Sequence, residues 1–416
     1  KKTTGEKITL LQCNDGRQEV NIIIEEIIKG KNQGKKYKDF TILYRTNAQS
    51  RLFEEGFLRF NIPYKIFGGM QFYQRAEIKD IVAYLAVINN PKDSLNLSRI
   101  LNVPKRKIGD KSLEKINEFA SVNGLTLFEA LGRANEIDTL TANMKIVLEE
   151  FHKMMMELIE MSESEPVSEL FDKVIKSIKY FDYLESNYED SENRISNIEE
   201  LRNSITEMEK IIETLTLREY LENISLVSAT DNLEEEKDYV KLMTIHNSKG
   251  LEFPTVFLVG TEDEVFPGKK ADFEPRELEE ERRLCYVAIT RAEDKLYISY
   301  AASRFMYGEE SFRTKSRFIS ELPENLLESN IESQFKREAI NPTKTPVKHQ
   351  FKKMITMEDL NKTYKEYPYS VGEKVMHKKF GLGVVRGVSD KKVEIDFVDG
   401  KREIAMAVAD KFLTKN

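Results

Sequence analysis

Arg291 is the residue best placed to do chemistry. Leu284, Val287 and Ala288 stand at i, i+3 and i+4 of a helical pattern, an apolar stripe that turns toward a core, and Arg291 follows at i+7 on the same stripe. A cation that continues an apolar face has two explanations. It can close a helix C-terminus, where positive charge favours the dipole, or it can carry a planar guanidinium to a phosphate lodged against the fold. A second group is His246–Glu252, a polar, glycine-containing turn between two strand-like runs; a lone histidine there is more often structural than chemical. Arg45 and Asn47 follow another apolar run. They could meet phosphates or bases, or they could open a surface helix capped by Thr46 or Asn47. Lys105, Arg106 and Lys107 concentrate charge that suits a nucleic-acid backbone. Gly109 follows and opens a helix whose N–H groups could face a phosphate; a basic solvated loop is the plainer reading.

These groups need elements to hold them. Tyr239–Thr244 reads as a short strand, and Thr255–Val259 is apolar throughout, as a strand buried on both faces of a parallel sheet should be. A helix is expected over Glu277–Ile289 and a strand over Lys295–Tyr300. Ile8–Leu11 and Phe40–Tyr44 read as further strands, with an amphipathic helix at Arg17–Ile28 between them. The grammar is that of an open α/β sheet, in which ligands gather at the carboxyl ends of strands; His246–Glu252 and Arg291 are expected there. Phe72–Asp231 interrupts the pattern with helical periods over Ser112–Ala120, Ala142–Met161, Pro166–Leu184 and Arg194–Leu215, the methionines Met154–Met156 serving as core filler. Glu321–Tyr367 is polar and irregular, a linker. Beyond it, short β runs flank Asp399-Gly400, a strong hairpin turn, with Phe380 read as core.

Two stretches imitate nucleotide-binding motifs and fail. Gly30–Lys36 has three residues between its glycines, puts Lys36 where Ser or Thr should hold magnesium, and follows a helix. After Thr255–Val259, Gly260 and Thr261 separate the strand from the acids that a magnesium ligand would require. The sequence contains no GxxxxGK[ST] motif and no metal ligand set.

MTIHNSKGLEF and EEERRLCYVAITRAEDKL closely resemble the fifth and sixth conserved motifs of the UvrD/PcrA/Rep helicases of superfamily 1A, and most nearly its PcrA branch in Gram-positive bacteria. YRTNAQSR (Tyr44–Arg51) and FGGMQFYQRAEIKDIVAYL (Phe67–Leu85) resemble the segments that precede them in that family. The resemblance runs in order from Lys7 to Leu327. It implies a RecA-like α/β lobe with a parallel sheet, built from residues 1–71 and 232–327. It further implies an inserted all-helical 2B domain (72–231); past the resemblance, the polar stretch is expected to be a linker (328–366) and the short β runs suggest a small SH3- or Tudor-like β-barrel (367–416). By resemblance, Arg291 reaches the γ-phosphate of ATP, Glu252 hydrogen-bonds the ribose, and Gly250 permits close backbone approach. Thr244 and His246 link the nucleotide to single-stranded DNA, Arg45 and Asn47 contact that strand, and a base stacks on Tyr307. Lys105, Arg106, Lys107 and Gly109 fall in the loop that meets duplex DNA. Two departures stand out: the family often has Gly-Ile-Gly where this chain has Lys107-Ile108-Gly109, and His where Gly268 follows Phe266-Pro267.

The implied function is an ATP- and magnesium-dependent 3′–5′ DNA helicase of repair and replication, with the phosphate loop on a preceding lobe outside this sequence. The 416-residue chain is then expected to be inactive alone. A non-enzymatic module that binds DNA and RNA polymerase is the alternative, since VGEKVMHKKFGLGVV resembles the polymerase-engaging module of the same family. Composition fits a globular, cytoplasmic protein: 32% of residues are charged and no apolar run approaches a membrane span. The two cysteines, Cys13 and Cys285, have no metal or redox spacing. The net charge of −7 argues against nucleic acid as the sum alone, so any DNA contact must come from local basic clusters.

Overall fold

The computed structural model describes residues 6–229, 238–306, 309–329, 374–377, 380–388, 392–397, 400–405 and 413–415. Two compact units result, Lys1–Lys344 and Thr345–Asn416.

In the first unit, β1 (Ile8–Cys13), α1 (Gly16–Asn32), β2 (Phe40–Tyr44), α2 (Ser50–Arg59) and β3 (Tyr64–Phe67) come first. Nine helices follow: α3 (Ala76–Asn89), α4 (Ser94–Ile100), α5 (Asp110–Asn123), α6 (Leu127–Gly132), α7 (Ala142–Met161), α8 (Val167–Ser177), α9 (Tyr180–Asn187), α10 (Ser191–Ile211) and α11 (Leu217–Ala229), with no strand among the described residues. The chain then returns to β4 (Val240–Thr244), β5 (Phe253–Leu258), α12 (Pro275–Ile289), β6 (Ala292–Ala301), a hairpin of β7 (Ser303–Met306) and β8 (Glu309–Phe312), α13 (Arg317–Ser320) and β9 (Leu327–Ser329). Seven strands form one parallel sheet in the order β3-β4-β2-β5-β6-β1-β9. β2 is buried at all five positions, as its unbroken apolar run requires. One face packs Ile23, Ile24 and Ile27 of α1 and Phe53 and Phe57 of α2. The other packs Leu284 and Ala288 of α12 and Phe318 of α13. The expected stripe on α12 is thus the buried one.

The helices between β3 and β4 enclose a third cluster, centred on Ile81, Tyr84, Leu148, Met155, Phe171 and Ile198. The run expected over Pro166–Leu184 is two helices. Lys179 sits at φ +50, a left-handed conformation that a helix interior does not tolerate. Met155 is fully buried and Met156 is exposed. Gly34 in the first false phosphate loop lies at φ +94, just past α1, and is a helix stop. Helix α10 lies against the sheet part of the unit. Arg51 of α2, 2% exposed, reaches Glu200 at 2.7 Å and Glu207 at 3.3 Å, and Arg75 joins Ser50 Oγ (2.7 Å) to Asn197 Oδ1 (2.8 Å). Buried cations of this kind persist only where carboxylates or hydrogen-bond acceptors surround them.

The second unit is an antiparallel sheet of β10 (Lys374–His377), β11 (Gly381–Val388), β12 (Lys392–Phe397), β13 (Gly400–Ala405) and β14 (Leu413–Lys415), in the order β13-β12-β11-β10-β14. Val375, Val385, Val393, Ile395 and Phe397 fill its core, and Phe380 packs against them half-buried. Gly400 of the Asp399-Gly400 pair stands in β13 and pairs with Phe397, and Asp399 lies outside the described residues.

Candidate functional site at the two edges of the sheet

The carboxyl edge gathers Arg45, Asn47, Thr244 and His246, because β2 and β4 are neighbours that end together at the pair Tyr44↔Thr244. The turn after β2 is made by Gln49, whose Oε1 accepts from the N–H groups of Arg45 and Thr46, both at 2.9 Å. Thr46, not Asn47, is the cap residue; Asn47 is half-buried. Arg45 grips both oxygens of Glu281 of α12, Nη2 donating to Oε1 at 2.6 Å and Nε to Oε2 at 3.1 Å. This fork-on-carboxylate geometry is strong and directional. Thr244 Oγ1 accepts from Asn247 N at 3.3 Å, and Asn247 Nδ2 reaches the carbonyls of Phe67 and Gly68. Gly68 lies at φ +71, and a Cβ there would sit 2.2 Å from Asn247 Nδ2, so only glycine fits. His246 is exposed. Partial desolvation and then the Arg45 charge hold its imidazole below the usual value, against an opposite pull from Glu281 and Glu280.

Gly250, Glu252 and Arg291 lie at the other edge, which corrects the expectation from the carboxyl-end rule. A crossover between parallel strands leaves one edge and must return to the opposite one before the next strand begins. Residues 245–252 make that return before β5, and α12 makes it before β6. Glu252 precedes Phe253, and Arg291 precedes Ala292, the residue paired with Phe253; Phe253 N donates to Arg291 O at 2.9 Å. The Arg291 guanidinium is held by neutral acceptors. Nε donates to Val287 O (3.0 Å), Nη1 to Leu251 O (2.5 Å) and Nη2 to Thr290 Oγ1 (3.0 Å). Among the described residues no carboxylate pairs with it. Glu252 and Gly250 are exposed. Gly250 takes φ +85, and a Cβ at this position would meet nothing within 4 Å, so its glycine serves backbone conformation and leaves open space in front. The carboxylate, the bare N–H-bearing backbone and the uncompensated guanidinium are donors and acceptors suited to the ribose and phosphates of a nucleotide. α12 joins the two edges: Glu281 and Arg291 are ten residues apart, about 15 Å along a helix.

The basic loop before α5 divides its three cations. Lys105 and Lys107 are exposed. Arg106, expected to meet DNA, turns inward instead. Its guanidinium donates to Ile100 O (2.9 Å), Leu101 O (3.1 Å) and Tyr84 OH (2.6 Å), and stacks over Phe151. The carbonyls left over at the end of α4 attract the nearest cation. Lys107 lies at φ +62. The backbone keeps a glycine-like conformation where the family often has glycine, and a lysine side chain is added to it. Gly109 caps α5 at an ordinary φ of −88. Tyr307 lies outside the described residues. Sequence reasoning missed Glu281, Gln49 and Asn247. Glu281 could have been suspected as an acid on a helix that starts at the edge where Arg45 ends its strand; the other two carried no signal.

The UvrD-like helicase C-terminal domain matches residues 1–303. The ATP-dependent DNA helicase PcrA of Staphylococcus aureus is 41% identical over 406 residues, covering 95% of this chain and 54% of the relative. PcrA of Staphylococcus epidermidis is 41% identical over 403 residues, with the same coverage. The chain therefore spans about half the length of the curated relatives it matches. With nearly three quarters of its residues matched, and with a parallel sheet carrying both motifs, the chain belongs to the UvrD-like helicase C-terminal domain family.

Proposed function

We propose that this chain is the C-terminal region of an ATP-dependent 3′–5′ DNA helicase that moves on single-stranded DNA and opens duplexes in repair and replication. Arg291 carries the reading: a guanidinium at the amino edge, held on carbonyls beside Gly250 and Glu252, with no carboxylate to neutralise it among the described residues. Glu252 would accept from the ribose hydroxyls and Gly250 would let the backbone come close. Arg291 would offset the charge that develops on the transferred phosphoryl group. ATP with its magnesium supplies that group, and a preceding lobe would hold the metal and the other phosphate contacts. Arg45, Asn47, Thr244 and His246 at the opposite edge, with Tyr307, would grip the single strand. Lys105 and Lys107 before Gly109 would meet the duplex backbone, and the helices α3–α11 would serve as the 2B domain. The strand order of the second unit supports an SH3- or Tudor-like barrel, which would engage RNA polymerase. No helix among the described residues is long and apolar enough to cross a membrane, in keeping with work in the cytoplasm.

The test compares the 416-residue chain with a longer protein that restores the preceding lobe. DNA-stimulated ATP hydrolysis is expected only in the longer form. Arg291→Ala there should lower kcat by roughly 10³-fold or more and leave single-strand affinity nearly unchanged. Hydrolysis by the 416-residue chain itself, lost in Arg291→Ala, would overturn the two-lobe account.

A further inference from the structure

The hairpin β7–β8 leaves the carboxyl edge directly after β6 and is held from two sides. On the sheet side, Arg304 of β7, its side chain 13% exposed, lies between two carboxylates that are buried. Its Nη2 donates to Glu19 Oε2 at 2.6 Å and its Nε to Glu262 Oε2 at 2.7 Å, with Glu19 and Glu262 at most 1% exposed. Ser303 N donates to Asn14 O at 2.9 Å. These contacts fix the root of the hairpin. On the other side stands α10, which belongs to the helices between β3 and β4. Asn203 Nδ2 donates to Phe305 O at 3.1 Å, and Lys210 Nζ lies 3.9 Å from the centre of the Phe305 ring. A cavity of about 300 Å³, lined in part by Gln49, Leu52, Glu199, Lys210 and Phe305, separates α10 from the sheet at this level. Beside the pairs that Arg17 and Arg51 make with α10, the two contacts to Phe305 bridge the gap from the hairpin.

We propose that Asn203 and Lys210 are positioning residues that tie the hairpin to α10, so that its place over the carboxyl edge depends on where the helical segment sits. The inference rests on the reading that this edge meets nucleic acid. The physical argument is one of leverage. The root is welded by one arginine between two buried carboxylates, but among the described residues the outer part of β7 is held to α10 by one neutral hydrogen bond and one cation over a ring. Each is a modest interaction, and both come from a different part of the fold. A shift of α10 by more than hydrogen-bond reach breaks both at once and leaves the root intact. The hairpin then reports the position of α10 at the carboxyl edge.

The test has two arms. In the 416-residue chain, amide hydrogen exchange over β7 and β8 is measured in the wild type, in Asn203→Ala with Lys210→Met, and in Lys210→Arg. The double variant should exchange roughly tenfold faster in the hairpin, the scale set by one hydrogen bond and one cation–π contact, with β1 and β6 unchanged. Lys210→Arg, which keeps a cation over the ring, should match the wild type. In the longer protein, the double variant should open duplex several-fold more slowly while single-strand-stimulated ATP hydrolysis stays within about twofold. Unchanged protection in the hairpin, or hydrolysis and duplex opening falling in parallel, would overturn the proposal. A longer protein without any ATP hydrolysis would instead overturn the proposed function, and the exchange arm would still decide whether the tie exists.

Discussion

The two edges of the sheet are built on opposite plans. At the carboxyl edge charge is answered by charge: Arg45 is forked on Glu281, and the turn above β2 is closed by Gln49 onto two N–H groups. At the amino edge the charge of Arg291 is answered, among the described residues, by carbonyl and hydroxyl oxygens alone, and the neighbouring turn depends on a glycine at φ +85. The first edge pairs its arginine with a carboxylate of the same chain. The second holds its arginine in place without neutralising it, which is what a group must have in order to offset charge that arrives from elsewhere. One sheet thus separates the edge proposed to grip DNA from the edge proposed to act on a nucleotide, and one helix ties them together.

The contrast can be broken by measuring stability at each edge. Arg45→Ala should be the largest loss, about 2–3 kcal/mol, since it strands the 8%-exposed Glu281 side chain without its partner; Arg45 is itself 27% exposed, which keeps the figure below that of a fully buried pair. Arg291→Ala, measured alongside by urea unfolding, should cost well under half as much. Equal losses would mean the edges do not differ as described. Gly250→Ala comes next, at about 1 kcal/mol, from the left-handed backbone alone; a neutral result would show that this turn relaxes freely. The smallest effect is electrostatic. His246 should titrate below the ordinary histidine value by NMR. Arg45→Ala should raise its pKa, because a nearby cation is removed while Glu281 remains, and Glu281→Gln should lower it further. The depressed value means that the linked stability is present above the unfolded pKa and fades as pH falls through the folded one. A shift of the same sign in both variants would show that the ion pair does not face this ring.

Much of the sheet is legible in the sequence because buried parallel strands are unbroken apolar runs, and Phe40–Tyr44 and Thr255–Val259 leave little choice. The stripe of Leu284 and Ala288 likewise names the buried face of α12. What the sequence does not carry is which edge each loop serves. The carboxyl-end rule speaks of where a crossover begins, whereas Glu252 and Arg291 stand where the crossovers finish. Arg106 misleads for a related reason: three adjacent cations look equivalent in sequence, but the open carbonyls at the end of α4 lie within reach of only one. The break at Lys179 has no warning either, as lysine is not a residue that announces a left-handed turn.

The sheet is assembled from two stretches of chain that meet late. Tyr64 of β3 pairs with Val240 of β4, yet residues 68–239, 172 in all, are made between them. Held as a flexible loop, that length would cost about 5 kcal/mol of chain entropy to close, before any constant term. Folding α3–α11 first removes most of this cost, because the segment's own core fixes where its two ends emerge. During synthesis, β1, β2 and β3 therefore wait as unpaired edges until β4, β5 and β6 appear, and the helical segment acts as the clip that holds their places open.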